Sequence, residues 1–337
     1  MVEKKTILVT GGAGYIGSHA VKLLLEKGFR VVVFDNLFRG YQEPIDTLKK
    51  KFSDLSLVVG DLRNLDQINK VFKETKFFSV LHFAALCLVN ESMEKPADYF
   101  ENNVLGTLNL LQTMKKHEVG KLVFSSTCAV YGESQYLPVD ENHPINPTNP
   151  YGESKLMAEK EIFWFCRLFN LRAVIFRYFN VAGADSTGLI GDSKKPSQLL
   201  VQNAVRGALG IEPFQLTCPE VSTPDKTPIR DYVNVEDLVF AHFLALDWLE
   251  KENGCQVFNL GTGRGNSVLE IIERVKKNTG VFFPINKGPT RKGEYAKVYA
   301  DIAKAKKHLG WEPQKDLGQT ISSLAAWYQN HPNGWSY

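Results

Sequence analysis

The chain of 337 residues contains no run of about 18 uninterrupted apolar residues, the length a membrane-spanning helix requires. Its first apolar stretch, Thr6 to Thr10, is too short for a signal-peptide core and leads straight into glycines. Paired cysteines are lacking as well. The five present (Cys87, Cys128, Cys166, Cys218 and Cys255) are odd in number, widely spaced and without a CxxC pair, which argues against a disulfide framework and a zinc site. No metal is expected, and a reducing, cytoplasmic setting fits. Charge of one sign is also missing: 40 basic against 37 acidic residues leave a formal net charge of +3. That field is too weak to attract nucleic acid or an anionic membrane. There is no internal repeat and no low-complexity tract.

Hydrophobic residues, by contrast, make up 44% of the chain, enough to bury one large core or two adjoining ones. Short β-rich runs at Thr6 to Thr10, Arg30 to Asp35, Ser56 to Gly60, Ser79 to Ala84, Lys121 to Ser126 and Leu171 to Arg177 alternate with amphipathic segments such as Ser18 to Glu26. Strands this apolar are covered on both faces, so the fold class is α/β, a doubly wound parallel sheet of the Rossmann kind. After Asn180 the pattern gives way to turns at Gly183, Gly188, Gly191 and Pro196, and to a loop rich in proline and charge from Pro213 to Pro228. Insertions beyond strand ends carry ligand contacts on such scaffolds, which places a smaller C-terminal substrate-binding lobe mainly over 181–337. Residues 1–180 form the first domain, re-entered near 231–261, where Asp231 to Asp247 reads as a helix and Gln256 to Leu260 as a strand.

Directly after the first strand stands Thr10-Gly11-Gly12-Ala13-Gly14-Tyr15-Ile16-Gly17, opening onto a helix from about Ser18. Glycines here permit a tight turn, close approach of backbone to a pyrophosphate and close packing of helix on strand, while N–H groups at the helix start attract phosphates. The spacing is GxxGxxG rather than GxGxxG, and a glycine-rich turn can also be structural alone. Context favours a dinucleotide: Asp35 ends the second strand 18 residues after Gly17, where a carboxylate accepts hydrogen bonds from ribose hydroxyls and repels a 2′-phosphate. NAD is therefore preferred over NADP, the alternative for Asp35 being a simple turn with Asn36. Asp61, in Gly60-Asp61-Leu62-Arg63, is placed to meet the adenine or to cap a turn.

Tyr151-Gly152-Glu153-Ser154-Lys155 holds a YxxxK pattern at the start of a helix, and four-residue spacing puts phenol and ammonium on one face. A nearby cation favours the phenolate, as a general base acting on a hydroxyl near neutral pH requires. On its own the pattern also suits surface residues. Its partner is the strand ending in Ser125-Ser126-Thr127, 24 residues before Tyr151, which sets hydroxyls at the carboxyl end of a strand, where open α/β sheets bind ligands.

The segments TGGAGYIG, HFAA at 82 to 85, NNVxGT at 102 to 107, SSTxAVYG at 125 to 132, YGESK at 151 to 155, RYFNVAGA at 177 to 184 and RDYVNVEDL at 230 to 238 together resemble the UDP-glucose 4-epimerases of the extended short-chain dehydrogenase/reductase family. The resemblance covers nearly the whole chain. It implies that Tyr151 is the base, Thr127 the hydroxyl that steadies O4, and Lys155 the residue tuning phenol and cofactor. It implies NAD contacts from Gly11, Gly14, Tyr15, Ile16, Gly17, Asp35, Asn36, Asp61, Leu62, Phe83, Ala84, Ala85, Asn103 and Phe179, besides Tyr151 and Lys155. The UDP-sugar side falls to Thr127, Asn180, Gln198, Leu199, Arg230, Arg291, Glu294 and Val298, the arginines answering the diphosphate charge with forked hydrogen bonds.

The chemistry so implied is reversible inversion at C4 through a 4-keto sugar, with NAD retained and much of the binding energy supplied by the remote UDP group. Several positions depart from the family pattern. Cys87 stands where many members carry Lys and is expected to be buried and inert; Asn234 replaces a usual His, Gln198 a usual Asn or His, and Gln215 to Pro219 lacks the usual aromatic-glycine pair. Val298 occupies a place that is a bulky Tyr in members restricted to unacetylated sugars, so room for a 2-N-acetyl group is expected, unless Val298 is only a strand residue. A 4,6-dehydratase would carry Asp-Glu where Cys128-Ala129 stands. Epimerases of UDP-xylose, UDP-arabinose or UDP-uronates remain the main alternative, and a non-catalytic NAD-binding regulator a more distant one. The resemblance implies a homodimer, with Leu105, Leu108, Leu111 and the apolar face of Lys155 to Phe169 as candidates, although core packing explains these residues equally well.

Overall fold

The structure is a computed structural model that describes residues 4–193, 197–290 and 295–335. The chain divides into two compact units, the first built from residues 1–130, 147–177 and 239–258, the second from 131–146, 178–238 and 259–337. Among the described residues no helix is long and apolar enough to cross a membrane.

The first unit is organised on a seven-stranded sheet. Its strands are β1 (Thr6–Thr10), β2 (Arg30–Asp35), β3 (Leu55–Val59), β4 (Ser79–His82), β5 (Lys121–Thr127), β6 (Arg172–Tyr178) and the late strand Cys255–Leu260. The spatial order runs from Cys255–Leu260 through β6, β5, β4, β1 and β2 to β3. Parallel registers join β3 to β2, β2 to β1, β1 to β4 and β4 to β5, with Thr10 opposite both Phe34 and His82. The order reverses at β1, so the loops after β1 and β4 open side by side, the place where doubly wound sheets take ligands. Leu8, Phe34, Val80, Leu122, Phe124 and Ile175 fill one core cluster with Ile68, Phe72, Leu110, Met114 and Ile162, each such side chain contributing roughly 1.5–3 kcal/mol when fully buried.

Helix α1 (Tyr15–Glu26) starts three residues before the expected Ser18. Gly14 is its N-cap and supplies no side chain, so Gly17 sits inside the first turn, where a Cβ would lie 2.1 Å from the Gly11 carbonyl oxygen. After α2 (Gln42–Lys49) and α3 (Leu65–Glu74) come α4 (Val89–Glu94), α5 (Pro96–Tyr99), a π-helical stretch Phe100–Leu105 and α6 (Gly106–Lys116). Helix α7 (Pro150–Phe169) opens on Asn149, whose side chain accepts from Gly152 N at 2.9 Å, with Pro150 next, and stops at Asn170 in the left-handed region (φ 55°).

In the second unit, strand Asn180–Ala182 pairs in parallel with Tyr232–Asn234, and Ile229–Arg230 is flanked by Asn266–Ser267 and Lys297–Val298. Helices Leu200–Ala208, Val268–Thr279 and Leu317–Asn330 close a core around Val201, Val205, Ile271, Ile272, Ile321, Leu324 and Trp327. The helix expected from Asp231 starts at Val235, because the residues before it are taken up as a strand. Asn234 ends that strand and turns the chain: its Oδ1 accepts from Glu236 N at 2.8 Å, and its Nδ2 donates to Thr320 Oγ1 at 3.0 Å.

Candidate active site

Gly11 has φ +70°, and a Cβ there would lie 2.5 Å from Ala84 N. The glycine loop and the Phe83-Ala84-Ala85 loop therefore touch at the point where strand order reverses, which only a residue without a side chain allows. At the end of β2, Asp35 is buried, its Oδ2 accepting from Ala13 N at 3.0 Å and its Oδ1 from Leu37 N at 2.9 Å. Burial pushes this carboxyl up and the two N–H donors pull it back. Asp61 stands beside it in the sheet order: Asn36 Nδ2 donates to its Oδ2 at 3.0 Å, and the Arg63 guanidinium holds its carboxyl down at about 2, so it is ionised at any physiological pH. Leu62 is buried.

This arrangement fits a dinucleotide on its own geometry. A Cβ at Gly11 would strike the Ala84 backbone and one at Gly17 the Gly11 carbonyl, so only glycines allow so tight a loop; helix α1 begins without a side-chain cap, and Asp35 sets a carboxylate at the strand end. On the far side of β1, the Phe83 ring packs 4.7 Å from that of His242, and Ser125 Oγ shares a 3.0 Å hydrogen bond with His242 Nε2.

Thr127, at the end of β5, and Tyr151 and Lys155, in the first turns of α7, all belong to the first unit. All three are at least nine-tenths buried. Thr127 ends β5, and Ala129 N donates to its Oγ1 at 3.2 Å. The first turn of α7 packs on that same segment: a Cβ on Gly152 would lie 2.7 Å from the Ala129 carbonyl oxygen, so the glycine after Tyr151 sets how closely the helix start approaches the segment after Thr127. One turn on, the Lys155 ammonium lies 4.3 Å from the centre of the Phe124 ring. Burial pushes it down to about 8, while Cys87 and Glu159 pull it up.

Asn103 links the β4 loop to α7. Its Oδ1 accepts from Leu86 N at 2.9 Å, and its Nδ2 donates to Leu86 O at 3.0 Å and to Ser154 Oγ at 2.9 Å. One expectation is corrected here. Cys87 is exposed rather than buried, because the Leu86 backbone is bound to Asn103 and the next residue is turned outward. Leu111 belongs to the core, whereas Leu105 is 43% exposed.

Within the second unit, Asn180, Gln198, Leu199 and Arg230 line one pocket together with Leu200, Asn203, Phe214, Gln215, Leu216, Thr217, Cys218, Pro228, Tyr232 and Val268. Val298 is buried and pairs in register with Arg230, and Phe179 is buried, donating from its N to Leu260 O at 3.2 Å. Arg291 and Glu294 lie outside the described residues.

Three partners received no role from the sequence. Asp231, fully buried, accepts at Oδ1 from Thr262 N (2.7 Å) and Thr262 Oγ1 (2.6 Å), and at Oδ2 from Gly263 N (3.0 Å) and Ala300 N (3.2 Å), fixing the loops beside Arg230 and Val298. Tyr99 OH has Leu88 O at 2.7 Å and Glu91 Oε2 at 2.8 Å as acceptors for its one proton, and its ring stands edge-on to Tyr151 at 6.4 Å. His242 backs Phe83. A polar residue on the apolar face of a helix is the local signal that marks His242; nothing local marks the other two.

The chain matches the family model described as GDP-mannose 4,6 dehydratase over residues 8–324. It is 43% identical over 331 residues to a UDP-glucose 4-epimerase of Lactobacillus helveticus, covering 98% of each chain. To UDP-arabinose 4-epimerase 1 of Arabidopsis thaliana it is 41% identical, over 98% of this chain and 80% of that one. The crystal structure of UDP-glucose 4-epimerase from Bifidobacterium longum in complex with NAD+ and UDP superposes with a TM-score of 0.94 at 38% identity, covering 98% of this chain and 100% of that one. The chain therefore belongs to the nucleotide-sugar-modifying family which that model describes, and within it to the NAD-dependent UDP-sugar 4-epimerases. These are isomerases, and Cys128-Ala129 after Thr127 accords with that, since elimination of water needs acidic groups there.

Proposed function

We propose that the protein interconverts UDP-glucose and UDP-galactose at C4 and accepts the N-acetylated pair, UDP-GlcNAc and UDP-GalNAc, as well. The observation that carries the reading is the buried set of Thr127, Tyr151 and Lys155 behind the glycine cradle. Gly11, Gly14, Tyr15, Ile16 and Gly17 would hold the pyrophosphate of NAD, Asp35 and Asn36 the adenosine ribose, Asp61 and Leu62 the adenine, and Phe83, Ala84, Ala85, Asn103, Lys155 and Phe179 the nicotinamide half. When bound, NAD supplies a reversible two-electron acceptor for C4 of the sugar.

Tyr151 takes the proton of the 4-hydroxyl and returns it after the sugar has presented its other face. Thr127 holds that oxygen by a hydrogen bond, and the Lys155 ammonium favours the phenolate. Asn180, Leu199, Arg230 and Arg291 would anchor the UDP group, with Gln198 and Glu294 as further substrate contacts, leaving the sugar free to turn. Val298 beside Arg230 supports the wider substrate range, because a valine fills less of the space around C2 than the tyrosine of narrower enzymes.

A second reading, epimerisation of a UDP-pentose, is favoured by the similarity to the plant UDP-arabinose enzyme. Purified protein is to be incubated, without added NAD, with UDP-galactose, UDP-N-acetylgalactosamine and UDP-arabinose separately, and the products resolved by chromatography. Conversion of the first two supports the proposal, conversion of UDP-galactose alone removes the role given to Val298, and conversion of the pentose alone transfers the assignment to the second reading.

A further inference from the structure

Glu159 lies four residues beyond Lys155 on α7 and so on the same face, turned into the core between Ala158 and Ile162. It is 1% exposed, Arg177 of β6 is 3% and Ser126 of β5 is 0%. Glu159 Oε1 accepts from Ser126 Oγ at 2.5 Å and from Arg177 Nε at 3.1 Å, and Oε2 accepts from Arg177 Nη2 at 2.6 Å. One carboxylate thus ties α7 to two strands, β5 and β6, with both of its oxygens engaged.

Stability alone does not account for this bracket. A buried ion pair gives up hydration that its Coulomb attraction barely returns, and apolar side chains of like volume commonly hold a core as well or better. Its placement is informative. Ser126 directly precedes Thr127, Glu159 is one helical turn from Lys155 and two from Tyr151, and Arg177 stands two residues before Phe179.

We infer that Glu159, through Ser126 and Arg177, is a positioning residue for the epimerisation: it fixes the strand end bearing Thr127 against the helix bearing Tyr151 and Lys155. The inference rests on the function proposed above. A forked guanidinium–carboxylate contact is directional, so with Ser126 added it leaves one rotation and one height for α7 on the sheet. Displacement of reacting groups by about 1 Å costs on the order of a hundredfold in rate, so a device of this kind acts on turnover more than on binding. The carboxylate also reaches Lys155 electrostatically. The titratable groups whose fields act on that ammonium are Cys87 and Glu159, which favour its charge; His82 of β4, hydrogen-bonded to Thr10 and Thr107, is held neutral at about 3 by burial and by the Lys155 charge, and the Phe124 ring of β5 lies against the ammonium.

The test compares wild type, S126A and E159Q on UDP-galactose, measuring kcat, KM, the alkaline limb of the kcat profile and the melting temperature. Ser126→Ala is expected to lower kcat about tenfold or more with KM within about twofold, the split that loss of alignment at the reacting atoms produces. Glu159→Gln keeps the shape but removes the charge; it should lower kcat further and move the alkaline limb to lower pH, because Lys155 then loses its proton sooner. An S126A enzyme with kcat within about twofold of wild type, or a folded E159Q whose alkaline limb stays in place, overturns the inference. Should E159Q fail to fold, S126A decides alone. A wild type inert on UDP-galactose rejects the proposed function and this inference with it, whereas an active wild type beside unaffected variants rejects the inference only.

Discussion

An ammonium enclosed against the Phe124 ring has lost most of its water, and Lys155 is accordingly pushed down to about 8. Below that value the charge is present and favours the Tyr151 phenolate; above it the charge and the help are lost together. Activity of the purified enzyme is therefore expected to fall as pH rises through about 8, and K155M should abolish that limb along with most of kcat. Tyr151→Phe removes the proton acceptor without changing the ring's packing against Tyr99, so kcat should drop by about 10² to 10⁴ while UDP affinity, measured by calorimetry, stays within about twofold. A Y151F enzyme with near-wild-type kcat would remove Tyr151 from the chemistry. These three side chains were legible in the sequence because four-residue helical spacing and a strand end are local patterns. Of the groups acting on Lys155, Glu159 follows it by four residues on the same helix, whereas Cys87 and Phe124 are dozens of positions away and only the fold brings them near.

Elements locate these residues, and their junctions are tight. The first turn of α7 rests on the segment after Thr127, with the Ala129 carbonyl oxygen 2.7 Å from where a Gly152 Cβ would sit. The two nearest atoms it would meet belong to the Ala129 backbone, so Gly152→Ala can be accommodated only by shifting the helix start. A loss of about 1–3 kcal/mol in unfolding free energy is expected from such overpacking, with a fall in kcat larger than that in UDP affinity; a G152A enzyme of wild-type stability and rate would show the junction to be loose. The expected β1, β2 and β5 begin where the structure has them, because uniform apolar runs have few alternatives in a sheet covered on both faces. Helix starts were harder. Gly14 ends the loop and Tyr15 opens α1 although no capping side chain marks the place, and Tyr232–Asn234 is drawn into a short strand by Asn180–Ala182, a partner some fifty residues earlier. Such strands are two or three residues long and leave no periodicity to read.

At the scale of the whole molecule the open matter is what covers α7. Met157, Trp164 and Leu168, at steps of seven and four along one face, are 38%, 56% and 60% exposed, and Leu105 of the π-helical stretch is 43% exposed. A monomeric surface scatters its large apolar side chains, whereas these follow the stripe a helix presents to another helix. Together with the family resemblance this supports a second copy of the chain as the partner, which would pair α7 and the stretch before α6 across a two-fold axis. Packing of the core had seemed an equal explanation for these positions from sequence, and it does hold for Leu111; it does not hold for Trp164 or Leu168, which the core leaves outside. Trp164→Glu would set a charge at the centre of such an interface, where a tryptophan commonly carries 2 kcal/mol or more, about a thirtyfold or larger rise in dissociation constant. Sedimentation equilibrium should then find wild type at twice the chain mass and W164E shifted toward one, with the melting temperature becoming dependent on protein concentration. A W164E protein that stays as associated as wild type would move the interface to another face, and a wild type that is monomeric at every concentration tested would leave the stripe as bare surface.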